Sequence, residues 1–234
     1  MGGLFDLKGY GHLLFEGAAL SLAVGICALA VALSLGALGA LARLSPSRIL
    51  QRLGLAYVVI VRGIPELVLM LLIYYGGTVL LQALLSLGGE DVRVDINAFL
   101  AGTLVLGFVY GAYATEIFRG AFLAVPKGQV EAARAFGLSP RQEFFRIMLP
   151  QALRLAIPGL GNLWLTLLKA TSITSVIGLT ELARQADLIK APTKMPFVVF
   201  FLASLIYLAF TAVSDVFRIR LEKWASAGFK RGAA

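Results

Sequence analysis

The sequence predicts an all-α membrane protein with five transmembrane helices and a basic loop between the third and the fourth. Three observations carry this reading. Of the 234 residues 59% are hydrophobic and mean hydropathy is +0.86, well above the composition of a water-soluble domain. Residues 17–42 form a run of 26 without a charge, longer than the roughly 20 that an α-helix needs to cross the hydrocarbon. Lys and Arg are unevenly shared: 14 fall in segments 43–52, 119–154 and 218–231, against five in the N-terminal tail and the remaining loops, and the richer side is the cytoplasmic one. The net charge of +8 is therefore topological and does not mark a nucleic-acid surface. A single cysteine, Cys27, excludes an internal disulfide, and a single histidine, His12, excludes a histidine-rich metal site.

Taken in order, residues 1–12 lack a basic leader and a short apolar core, so no cleaved signal peptide is expected. Span one is read as about 17–42. Arg43, Arg48 and Arg52 crowd the Ser45-Pro46-Ser47 turn, which makes that loop cytoplasmic and the N-terminus external. The next apolar run, 53–87, is too long for one crossing and is interrupted by Arg62-Gly63-Ile64-Pro65-Glu66. Span two is placed at about 53–76, ended by Gly76-Gly77, with 78–87 lying near the outer surface. Pro65 and Gly63 should bend it in mid-membrane, where irregular backbone is tolerated only against protein or a wet cavity. Residues 88–95 read as an acidic external loop. Span three, about 98–118, carries Gly102, Gly107 and Gly111, a spacing suited to close helix packing. Span four, about 152–178, is the most polar, with Pro158, Gly159, Gly161 and a Thr/Ser cluster at 171–175. An external loop with a short surface helix is expected at 181–195, then span five at about 197–213, after which Arg218, Arg220, Lys223, Lys230 and Arg231 put the C-terminus in the cytoplasm. The chain reads as one domain, 1–234.

Charged groups inside spans are costly unless they meet a partner or a wet cavity. Arg62 and Glu66 are four apart, a helical spacing that lets them pair. Glu116 and Arg119, three apart, can do the same. Asn162, Thr166 and Lys169 share one helical face, expected to point into the bundle. Such groups either line a substrate pathway (Glu66, Arg62, Glu116, Asn162, Lys169) or hold the helices together. There is no nucleophile, base and acid set, and Gly159-Leu160-Gly161 lacks the Lys-Ser/Thr of a phosphate loop. The chain is thus not expected to be an enzyme or to bind a metal or cofactor of its own.

The loop 127–150 reads as two short helices meeting at a turn. Gly137 suits a left-handed helix stop. Ser139, Pro140 and Gln142 form a helix start, with a capping hydroxyl, a first-turn proline and a capping-box partner. Phe144, Phe145, Met148 and Leu149 then face away from Arg141, Gln142 and Arg146, and Pro150 is expected to stop the helix. Glu131, Ala132, Ala133, Gly137, Ile147, Leu149 and Pro150 stand at the spacing of the coupling loop in membrane subunits of binding-protein-dependent, ATP-driven importers, which this loop resembles. The resemblance continues through Arg62-Gly63-Ile64-Pro65-Glu66 to Leu72 and from Tyr110-Gly111-Ala112-Tyr113 to Gln129. There the chain is similar to the polar amino-acid permeases, above all the Q-type subunits of histidine/lysine/arginine/ornithine and opine importers. It covers most of 13–230.

That resemblance implies the importer permease fold, a bacterial inner-membrane location, and alternating access driven by a separate ATPase that holds the ATP and Mg. It also implies a coupling loop docked in a cleft of that ATPase. The implied partners are an M-type permease, two ATPase subunits and a periplasmic or extracellular binding protein. An acidic residue at Glu66 resembles the basic-amino-acid and opine types. Basic amino acids are therefore the expected cargo, and an opine is the alternative. An ion-coupled carrier or a non-translocating assembly subunit would be the rival readings from other classes.

Overall fold

The computed structural model describes residues 7–86 and 96–226. The acidic loop 88–95, the first six residues, and Lys230 and Arg231 lie outside the described residues. Among the described residues five helices are long and apolar enough to cross a membrane: Gly11–Leu44, Glu66–Ser86, Ala98–Leu123, Pro140–Ile177 and Pro196–Ser226.

Helix α1 (Gly11–Leu44) runs unbroken because its Ala- and Leu-rich sequence contains no proline, and it stops where Ser45 is extended (φ −63°, ψ 147°) ahead of Pro46. Helix α2 (Arg48–Gly63) follows at once. Pro65 then holds Ile64 extended (φ −110°, ψ 137°), so a full break, not a bend, separates α2 from the rod that follows. That rod is α3 (Glu66–Leu71), a π-helical turn (Leu72–Gly76) and α4 (Gly77–Ser86). The second membrane-length helix therefore starts at Glu66 and continues as far as Ser86, the last residue described on that side, so the expected boundaries of 53–76 are corrected. Gly76-Gly77 does not end the helix, because Gly77 keeps helical angles (φ −62°, ψ −41°) and its N–H reaches the Ile73 and Tyr74 carbonyls.

Helix α5 (Ala98–Leu123) is capped by Asn97, whose side chain accepts from the Phe99 and Leu100 amides. It is the central helix, with Val105, Leu106, Val109, Tyr110, Ala112 and Ala114 all buried. Small residues let it lie against α1: a Cβ on Gly107 would sit 2.5 Å from Val31, and one on Gly36 only 2.4 Å from Ala114. Lipid tails are as apolar as these side chains, so the seam is held by close van der Waals contact more than by water exclusion.

Helix α6 (Lys127–Ala135) and the short α7 (Pro140–Glu143) flank Gly137. A π turn (Phe144–Met148) then leads straight into α8 (Leu149–Ala170). Pro150 was expected to stop this helix, and it does not. Proline has no N–H and crowds the carbonyl four residues back. The widened turn accommodates it, and the Gln151 side chain donates to the Ile147 carbonyl at 3.0 Å. Helix α8 continues as a 3-10 segment (Thr171–Ile177) ending at Gly178. Helix α9 (Leu182–Thr193) is the short helix expected within 181–195, but it is no loose surface element: Leu182, Ala186 and Ile189 are buried among Leu14 and Ala18 of α1 and Val199 and Ala203 of the last helix. That helix, α10 (Pro196–Ser226), runs past the expected end at 213.

Candidate functional site

The break at Ile64–Pro65 builds a cavity lined by charged and aromatic residues. It places Arg62 in the last turn of α2 and Glu66 at the first position of α3, where the partial positive charge of a helix N-terminus favours a carboxylate. The two do not pair, contrary to their four-residue spacing, because that spacing applies only within one helix. Glu66 instead accepts a hydrogen bond from the Tyr110 hydroxyl at 3.3 Å. The Arg62 guanidinium lies over the Tyr113 ring, 4.9 Å from its centre, a cation–π contact. Tyr110 and Tyr113 themselves pack with ring centres 5.7 Å apart on α5.

Around these four residues lies a cavity of about 460 Å³, closed by Glu116 and Ile117 of α5 and by Gly159, Asn162 and Thr166 of α8. Gly159 lets α8 lie close to α5 there: a Cβ would meet the Ile117 side chain at 2.8 Å, so that side chain or the helix would have to shift. Glu116 is charge-paired at the cavity edge, its hydrogen bonds all falling on Oε2 while the buried Oε1 has no hydrogen-bond partner among the described residues. Arg119 donates to it through Nε (3.0 Å) and Nη2 (2.8 Å), as the spacing predicted, and Arg43 from the end of α1 stands 3.4 Å away. The cavity thus holds one neutralised acid, Glu116, beside one cation and one carboxylate that no salt bridge joins. Asn162, Thr166 and Lys169 do share one face of α8, but all three are exposed on this chain and do not point into the bundle. Asn162 and Thr166 line the cavity; Lys169, two turns from Asn162, is not among its lining residues.

The loop 127–150 has the expected turn. Gly137 has φ +77°, and the Leu138 and Gly137 amides donate to the Ala133 and Arg134 carbonyls (3.1 and 2.9 Å), the paired bonds of a Schellman motif. Nothing lies within 4 Å of where a Cβ on Gly137 would be. Glycine is needed there for its backbone angle and not for space. The capping box between Ser139 and Gln142 is complete. Of the seven pattern residues, Ala133 is buried, Ile147 and Leu149 are half-buried, and Glu131, Ala132, Gly137 and Pro150 are exposed. Phe136, at the tip, is 86% exposed.

Sequence reasoning missed two polar clusters. One joins Arg134 to Glu143, nine residues apart and so at no helical spacing. The other is centred on Glu181, fully buried at the start of α9. Its carboxylate accepts from Ser21 of α1 (3.2 Å), Tyr207 of α10 (3.0 Å) and the Ala183 and Arg184 amides (both 2.9 Å). Burial pushes its pKa up, and the four donors pull against that shift. The only sequence signal was an acidic residue one place before a helix, a usual capping position; its partners 160 and 26 residues away leave no local trace.

Residues 16–226 match the profile of a family described as the binding-protein-dependent transport system inner membrane component. The chain is 43% identical over 225 residues, 96% of its length and 98% of the relative's, to the histidine/lysine/arginine/ornithine transport system permease protein HisQ of Salmonella typhimurium. It is 41% identical to the octopine transport system permease protein OccQ of Rhizobium radiobacter, covering 97% of this chain and 96% of that one. It is 40% identical to the arginine ABC transporter permease protein ArtQ of Haemophilus influenzae, covering 90% and 92%. Its structure matches a crystal structure of an amino acid ABC transporter with histidines, with a TM-score of 0.82 and 31% identity over 95% of this chain and 99% of that one. The MetNI methionine ABC transporter, at 19% identity and a TM-score of 0.60, shares the fold.

Proposed function

Because this chain belongs to the family of binding-protein-dependent transport system inner membrane components, we propose that it is the membrane subunit of an ATP-driven importer of basic amino acids. The chain's part is to hold the pathway and pass on movement; ATP and Mg belong to a partner ATPase. The observation that carries the substrate is the charge pattern of the cavity. Glu116 is neutralised by arginines, while Glu66 has only a tyrosine hydroxyl and Arg62 only an aromatic face. A substrate with a carboxylate at one end and a cation at the other satisfies both at once, and neither needs to be stripped from a protein partner first. The cavity volume of about 460 Å³ lies in the range of small-ligand sites.

Assembly follows the same reading. The exposed polar face Asn162, Thr166 and Lys169 is turned toward a second, M-type permease that closes the pathway. Residues 127–150, with Glu131, Ala132, Ala133, Gly137, Ile147, Leu149 and Pro150, dock on one of two ATPase subunits. A periplasmic or extracellular binding protein delivers cargo to the outer face. The N-terminus is external, the C-terminus cytoplasmic, and the membrane the bacterial inner membrane, in keeping with the Lys and Arg asymmetry.

The test is Glu66→Gln in vesicles reconstituted with the whole importer. The amide still accepts from Tyr110 but carries no charge. Arginine uptake should fall about tenfold or more, the usual loss when a charge-assisted bond goes, while ATP hydrolysis stimulated by the binding protein is kept. Unchanged arginine uptake sinks the substrate role of Glu66. Transport of octopine in place of arginine by the unaltered importer moves the reading to an opine.

A further inference from the structure

We propose that the Arg134–Glu143 ion pair is the clamp that makes the two coupling helices one lever. This rests on the reading of residues 127–150 as the ATPase-coupling loop. The contact is two-pronged: Arg134 Nε lies 2.8 Å from Glu143 Oε2 and Nη2 lies 3.1 Å from Oε1, the fork geometry that fixes orientation as well as distance. The Glu143 side chain is 9% exposed and that of Arg134 67%, so the guanidinium roofs a carboxylate that has no other partner among the described residues.

The remaining bonds at this turn do a different task. The Gly137 and Leu138 amides close the end of α6, and the Ser139–Gln142 box opens α7. Each finishes its own helix. Among the described residues, Arg134–Glu143 is the one side-chain hydrogen bond or ion pair that joins α6 to α7 across the turn. The next residue, Phe144, stacks on Phe122 at the end of α5, with ring centres 5.8 Å apart and planes 12° from parallel. Consecutive residues thus hold α6 on one side and the third membrane span on the other. A displacement of α6 by a docked partner is passed through Glu143 to the turn that bears on α5. Without the clamp, the bonds left at Gly137 form a swivel, and α6 can move without α5.

Glu143 is buried but Arg134 stands largely in water, so the pair adds less to folding than a fully buried one, and the clamp and a merely structural pair make different forecasts. In the complete importer reconstituted in vesicles, arginine uptake and ATP hydrolysis are measured together. Arg134→Ala and Glu143→Ala should each insert normally and co-purify with the ATPase, yet lower uptake per ATP about tenfold. Arg134→Lys, which cannot form the fork, should fall between them and the parent. The reversed pair Arg134→Glu/Glu143→Arg should return to within about threefold of the parent. The clamp is overturned if the single variants keep the ratio within about twofold, if they lose the ATPase outright, or if the reversed pair is as impaired as the singles. A parent chain that never co-purifies with an ATPase would overturn the coupling reading itself, a separate result.

Discussion

The turns at Gly137 and Gly178 are built from the same chemistry and sit in opposite surroundings. Each has a left-handed glycine (φ +77° and +89°), and each closes with the same two amide bonds, Leu138 to Ala133 and Gly137 to Arg134 in one, Leu179 to Thr174 and Gly178 to Ser175 in the other. They bracket the long helical segment Pro140–Ile177. Beyond Gly178 the chain enters α9, which Glu181 ties to α1 and α10; a Cβ on Gly17 would lie 2.9 Å from the Leu182 backbone. Before Gly137 the chain is α6, mostly exposed, with its charged link reaching only nine residues along. Identical local chemistry thus gives one end tied to two other helices and one end left mostly exposed. The difference comes from what the flanking residues touch, and under the coupling role proposed for residues 127–150 it assigns load-bearing to the Gly178 turn and signalling to the Gly137 turn.

The largest expected effect is on the anchored side. Glu181→Ala leaves two hydroxyls and two amides of a buried cluster without their acceptor, at a cost of about 3 kcal/mol or more. The purified protein should melt at a markedly lower temperature, with little reaching the membrane intact; a melting point within a degree or two of the parent, on the scale expected of a neutral change, would erase the contrast.

Next comes the paired replacement of the glycines. Gly137→Val and Gly178→Val each force a branched side chain into a left-handed backbone, costing about 1–3 kcal/mol. If the ends differ as described, equal strain has unequal results. Gly178→Val should lower the yield of folded protein. Gly137→Val should leave insertion normal and depress transport and stimulated ATP hydrolysis. Yield, uptake and hydrolysis measured side by side decide it, and the same phenotype from both would break the comparison.

The smallest effect sharpens it. Tyr207→Phe removes one of the four donors to Glu181 and should cost about 1 kcal/mol, visible in thermal unfolding and absent from uptake per ATP. A change in that ratio would mean the outer knot takes part in coupling after all.

What could be read from residue order follows the same divide. The Gly137 stop, the Ser139–Gln142 box and the close packing at Gly107 all depend on neighbours a few residues away or on side-chain size, and were visible as such. The four-residue spacing of Arg62 and Glu66 predicts a pair only within one helix, and Pro65 makes two. Pro150 misled for the opposite reason: a π turn took up its missing hydrogen bond without ending the helix. Asn162, Thr166 and Lys169 were assigned one face correctly and the wrong direction, since polarity marks a face that avoids lipid, and a partner subunit can supply that cover as well as the bundle can. Glu181 and the Arg134–Glu143 link were beyond local pattern altogether.

The reach of each carboxylate also sets an order of events during synthesis. Every bond that shapes the Gly137 turn, from Ala133 to Glu143, closes within ten residues of chain, so the inner hairpin is chemically complete once the ribosome has passed it. Glu181 must find Ser21, made 160 residues earlier, and then wait for Tyr207, made 26 residues later. Three of its four bonds can form once Arg184 has been made, but the knot is complete only after Tyr207 of the last helix has been translated.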